Sequence, residues 1–107
     1  MRHPIPDLHP AVQADIEMKI RYLRENRVSP LIIARFLDEV VEVFGKIQNH
    51  PKTWSFVEGS KATRKVQLFR FGMTAFYQIQ SSGVPVILEL SGPGQLPRWT
   101  RRTKKTS

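Results

Sequence analysis

Two stretches hold the side chains of this sequence best suited to chemistry. One contains Arg64, Lys65 and Arg70; the other, near the C-terminus, contains Arg98, Trp99, Arg101 and Arg102. The second, LPRWTRRTKK, carries five Lys or Arg, no acid and one tryptophan. A solvated tail has no use for Trp99, and a core strand does not tolerate Arg98, Arg101 and Arg102 together. The segment is expected to pack by its apolar members and to present its cations to an anionic partner. Lys and Arg neutralise phosphates, and an aromatic ring stacks on a base. Arg also holds a carboxylate in a two-point geometry, so an acidic protein segment suits the same residues equally well. Two plainer readings stand beside this one. Trp99 closes the core beneath the last strand, and residues 103–107 form a solubilising basic tail.

The charge distribution points the same way. Of the net +8, residues 1–63 supply only +1, with nine Lys or Arg against eight acids. Residues 64–107 supply +7, with Glu89 as their only acid. So lopsided a chain calls for an acidic partner, either nucleic acid or acidic protein. Other chemistries find little support. His3, His9 and His50 lie far apart beside prolines and read as structural or solvated. No HExxH, phosphate-binding Walker loop or GxSxG occurs. The GPG at 92–94 has neither the length nor the following helix of a phosphate loop. Without cysteine there is no disulfide framework and no thiolate metal site. No metal and no small-molecule cofactor is expected.

At 107 residues the chain is read as one domain. No apolar run reaches the roughly 18 residues of a membrane span, and MRHPIPDLHP lacks the apolar centre of a signal peptide. The expectation is a soluble cytoplasmic protein.

The elements that must position these residues follow from periodicity. Ile5 and Leu8, among prolines, allow at most one short edge strand. Val12, Ile16, Ile20 and Leu23 form a helical stripe that opens near Pro10 and ends at Asn26. Ser29-Pro30 reads as the cap and first residue of a second helix running to about Gln48. Its stripe is Ile33, Leu37, Val40, Phe44 and Ile47, widened by Phe36, Val41 and Val43, with Asp38, Glu39 and Glu42 on the wet side. A short connection makes the pair an antiparallel hairpin. After a loop anchored by Trp54 and Phe56, the period becomes two. TRKVQLFRF, MTAFYQIQ and VPVILELS read as three strands, turning at Gly72 and at Ser82-Gly83. Val66 and Leu68 share one face, as do Met73, Ala75, Tyr77 and Ile79, and then Val84, Val86, Leu88 and Leu90. The fold class is α+β: a helical hairpin on one face of a small antiparallel sheet made of a three-stranded meander and a possible N-terminal edge strand.

In this order the motifs resemble the RelE/ParE superfamily, the toxins of bacterial type II toxin–antitoxin modules. LHPAVQADIEMKIRYL is similar to that family's opening strand end and first helix, and ARFLDEVVEVFGKIQNHP to its second helix and proline-terminated turn. RKVQLFRFGMTAFYQI looks like its Arg-led strand, hairpin and tyrosine-bearing strand, with Phe71-Gly72 replacing Phe-Pro and Tyr77 at the tyrosine position. LPRWTRR is similar to the Pro-x-Trp-x-x-Arg ending of the ParE-like, plasmid-stabilisation branch, placing Pro97, Trp99 and Arg102. The resemblance spans roughly residues 5–102.

It implies a single RelE/ParE-like toxin domain over 1–107, held inactive by a cognate antitoxin. ParE-like members inhibit DNA gyrase by binding, with no chemistry of their own. On that reading Arg64, Lys65, Arg70, Tyr77, Arg98, Trp99, Arg101 and Arg102 contact the target. RelE-like members instead cleave messenger RNA on the ribosome without a metal. The candidate catalytic residues for that alternative are Lys65, Arg70 and Arg98. Here the sequence departs from the RelE pattern: Gln67 and Thr74 stand at expected cationic positions, and SGPGQLPRW offers no His or Tyr as general acid. A further alternative is a basic nucleic-acid-binding module without toxicity.

Overall fold

The computed structural model describes residues 6–103, so Ile5 of the expected edge strand and tail residues 104–107 lie outside the described part. The elements are β1 (Asp7–Leu8), α1 (Pro10–Glu25), α2 (Pro30–Asn49), β2 (Thr63–Leu68), β3 (Met73–Ile79), β4 (Pro85–Ser91) and α3 (Trp99–Arg102). The helix boundaries are set by local chemistry. His9 Nδ1 accepts the Ala11 N–H at 3.0 Å, and Ser29 Oγ accepts that of Ile32 at 3.4 Å, each just ahead of a proline in the first turn. Asn26 closes α1, its side-chain amide donating to the Tyr22 carbonyl at 2.8 Å.

The strands form one sheet in the order β1-β4-β3-β2. The meander is antiparallel, but β1 runs parallel to β4, pairing Asp7 with Val86 and Leu8 with Ile87. The sheet is therefore mixed rather than antiparallel. The helical hairpin carries the chain to the far edge, and the meander's third strand returns beside β1 in the same direction. The helices cover one face. Val12 and Leu23 of α1 and Phe36, Val40, Val43, Phe44 and Ile47 of α2 meet Val66, Leu68, Met73, Ala75, Tyr77, Ile87 and Leu90 of the sheet. Each fully buried aliphatic or Phe side chain contributes about 1.5–3 kcal/mol. Ile16, Ile20, Ile33 and Ile79 pack on this core half-buried.

Three further expectations are corrected. In β4 the core takes Ile87 and Leu90, not the alternating Val86-Leu88-Leu90 set. Tyr77 pairs with Ile87 and Phe76 with Glu89, so the register slips and Leu88 is an extra residue that flips the alternation. On α2, Leu37 and Val41 are exposed, so the buried stripe is narrower than its apolar content. Glu39, expected on the wet side, is buried and accepts the Arg70 N–H at 3.3 Å. A short α3, which the basic ending concealed, follows the last strand.

Candidate functional site

Because β1 is only two residues long, it covers β4 only at Val86 and Ile87. Beyond that point β4 has no neighbouring strand on its outer side among the described residues. Its backbone groups still need partners, and charged side chains supply them. Asp15, projecting from the buried stripe of α1, accepts the Leu90 N–H at 3.0 Å. Arg102 of α3 donates to the Leu88 carbonyl at 3.1 Å. The same Arg102 grips Asp15 with two bonds, at 2.6 and 3.1 Å. The Asp15–Arg102 pair thus stands in for a strand, one member accepting from β4 and the other donating to it.

Arg98 adds a second link. Its guanidinium lies 3.4 Å from Asp15, and its backbone N–H donates to Glu89 Oε1 at 2.6 Å. The other Glu89 oxygen is 3.6 Å from Arg98 Nε, an ion pair without a hydrogen bond. Two acids and two arginines make a neutral cluster. Asp15 is 2% exposed, Arg102 12% and Arg98 41% by side chain. The hydrogen bonding that Arg102 donates to Asp15 raises its pKa above the ordinary value, against the opposing pull of burial. Asp15 and Glu89 were not among the expected site residues. Their signal was position: Asp15 sits three residues after Val12 on an apolar stripe, and Glu89 is alone in VPVILELS.

The residues expected to contact a target do not all gather on one surface. Arg98 and Arg102 are committed to this cluster. Arg64 pairs with Tyr77 in the ladder and donates to the Trp54 carbonyl at 2.7 Å, its guanidinium 4.0 Å from the Phe56 ring centroid. It ties down the loop after α2. Tyr77 is fully buried and donates to the Pro51 carbonyl at 2.6 Å, so it also holds that loop. Burial raises its phenol pKa, opposed by the nearby Arg64 charge and a backbone hydrogen bond. The backbone N–H of Arg70 is bonded to Glu39, and Arg70, exposed, lines with Lys65 a groove between α2 and β2.

Lys65 and Trp99 do come to one face. Lys65, Phe76 and Glu89 are register partners across β2, β3 and β4, on the side away from the helices. Trp99 packs on Phe76 at 6.2 Å between centroids, with planes tilted 31°. Trp99 is half-buried and Lys65 exposed, and Gln67 and Thr74 continue this open face. Arg101 is exposed, and its side chain has no polar partner among the described residues.

Among the described residues no group of three His, Cys, Asp or Glu side chains could hold a metal ion, and no helix is long and apolar enough to cross a membrane. Compared with protein-family models, curated proteins and solved structures, the chain matches none of them.

Proposed function

We propose that this chain is the toxin of a bacterial type II toxin–antitoxin module, of the ParE-like kind. It acts in the cytoplasm by binding a target such as DNA gyrase, and a cognate antitoxin holds it in check. The observation that carries this reading is the placing of the Pro97-x-Trp99-x-x-Arg102 ending. Trp99 closes over Phe76 on the open face, and Arg102 enters the buried cluster at the edge of β4. The resemblance to the ParE-like branch rests on this same ending, and here each of its side chains with a contact has a definite task. The order of hairpin before meander agrees with it.

Binding is favoured over cleavage. An endoribonuclease of the RelE kind needs cations converging on one phosphate. Of the candidates, Arg98 lies between Asp15 and Glu89 and lines a different groove from Lys65 and Arg70, so the three cations do not converge. The test is to express the chain alone and together with the open reading frame beside it. Growth arrest relieved by the neighbour, with intact messages and blocked supercoiling by purified gyrase, is the expected result. Harmless expression of the folded protein refutes the toxin reading. Cleaved messages during arrest transfer it to the RNase branch.

A further inference from the structure

Among the described residues, the two most exposed large apolar side chains lie at one end of the sheet. Phe69 is 85% exposed and Leu96 86%. Phe69 opens the turn from β2 to β3, directly after the Leu68–Met73 pair. Leu96 belongs to the segment after β4, whose last residue, Ser91, pairs with Thr74 at the start of β3. The register therefore sends both segments out at the same end. They also meet there, since any Cβ at Gly72, the close of the turn, would lie 3.3 Å from the Pro93 ring.

Both segments are braced. The Phe71 N–H donates to the Leu68 carbonyl at 3.2 Å and closes the turn, and the Phe71 ring sits edge-on to Phe36 of α2, 5.3 Å between centroids. After β4, Gln95 Oε1 accepts the Gly92 N–H at 2.7 Å, and the Gln95 N–H donates back to the Gly92 carbonyl at 3.3 Å. Apolar side chains scattered singly over a surface are ordinary. Two on braced, touching segments make a feature that the fold itself holds out into water.

The charge beside these tips is cationic. Phe69, Arg70 and Lys65 border the groove between α2 and β2, where the other charged groups are Glu39, Glu42 and Lys46. Glu39 is buried and holds the Arg70 N–H, while Glu42 and Lys46 pair at 3.4 Å. The exposed charges left over are Lys65 and Arg70, on a chain of net charge +8. Arg98, already balanced by Asp15 and Glu89, takes no part.

We propose that this end of the molecule docks on the surface of an anionic membrane. Phe69 and Leu96 enter the boundary between headgroups and acyl chains, and Lys65 and Arg70 lie against lipid phosphates. A membrane is favoured over a protein because the apolar groups protrude. A protein must offer a shaped pocket to each protrusion, whereas a headgroup layer receives any convex apolar tip and brings phosphates to the cations around it. The chain rests on the bilayer without crossing it, since no helix among the described residues is long and apolar enough. The inference is independent of the toxin reading.

The experiment is co-sedimentation of the full chain with vesicles of phosphatidylcholine alone and of phosphatidylcholine mixed with phosphatidylglycerol. The unmodified protein is compared with Phe69→Ser, Leu96→Ser, the double variant and Arg70→Gln. Both apolar side chains stand in solvent, so melting temperatures should be unchanged; if Phe69→Ser lowers its own, Leu96→Ser carries the test. Binding is expected on the anionic vesicles and not on the neutral ones. Each single serine variant should weaken it severalfold, and the double variant by about tenfold or more. Arg70→Gln should weaken it at low salt, with the difference shrinking as salt rises. Absence of binding, equal binding to neutral vesicles, or full binding by the double variant would each overturn the proposal. So would loss of growth arrest in the serine variants without any vesicle binding, which assigns the tips to a protein target. Vesicle binding by a chain that arrests no growth leaves this inference standing and removes the toxin reading.

Discussion

Replacing Arg102 with alanine removes one charge from a place where its partner cannot follow it into water. Three hydrogen bonds disappear: two to Asp15, at 2.6 and 3.1 Å, and one to the Leu88 carbonyl at 3.1 Å. Asp15, 2% exposed, keeps the Leu90 N–H and the more distant Arg98. Breaking a buried pair by deleting one member typically costs about 3–5 kcal/mol, because the survivor stays desolvated. Arg98 lies 3.4 Å away and is well exposed, so it neutralises part of that charge. The expected loss is therefore about 2–4 kcal/mol, against a total stability of roughly 5–15 kcal/mol for a domain. In a chain of this size it lowers the melting temperature by roughly 10–20 °C. Arg101→Ala is the control, one residue away and exposed; it should stay within about 0.5 kcal/mol of the parent. Denaturant unfolding of both variants, with Asp15→Ala and the double variant, completes the cycle. Coupling between positions 15 and 102 should reach about 1–3 kcal/mol. If Arg102→Ala is no worse than Arg101→Ala, or the coupling vanishes, the pair does not hold the edge of β4.

Tyr77→Phe deletes the 2.6 Å bond to the Pro51 carbonyl in a buried setting and should cost about 1–2 kcal/mol by denaturant melts. The same phenol governs alkaline stability. Its folded pKa is raised above the ordinary value of 10.0 by burial, so its contribution is complete below about pH 10 and is lost as pH climbs through the folded pKa. Alkaline unfolding should be shallower in Tyr77→Phe, and an unchanged profile would contradict this account. Gly72 sits at φ +64° with Pro93 against it; Gly72→Ala should lose at least about 1–2 kcal/mol, seen as a lower melting temperature. Lys65→Ala, on the open face, should leave the melting temperature unchanged while weakening growth arrest in cells that express the chain alone.

Much of the scaffold was legible because it is written in local chemistry. Ser29-Pro30 and Asn26 mark helix ends where a proline or amide has an evident partner, and Gly72 marks a turn that needs a positive φ. The candidate site was less legible because it depends on a register slip. The carbonyls of Ile87 and Leu88 are both bonded outside the β3 ladder, the first by the His9 N–H at 2.8 Å and the second by Arg102. In a regular strand, consecutive carbonyls point to opposite sides. The extra residue at Leu88 breaks that alternation and leaves a carbonyl for Arg102 to take. Nothing in VPVILELS announces a bulge, since every residue near it is apolar except Glu89. A count of exposed charges therefore assigned Arg98 and Arg102 to a partner outside the molecule. Asp15 pairs with both of them, 83 residues upstream of Arg98 and 87 upstream of Arg102, and Glu89 adds a partner for Arg98. What the cationic half still offers to a partner is Lys65 and Arg70, which line one groove, together with Arg101 and the exposed part of Arg98.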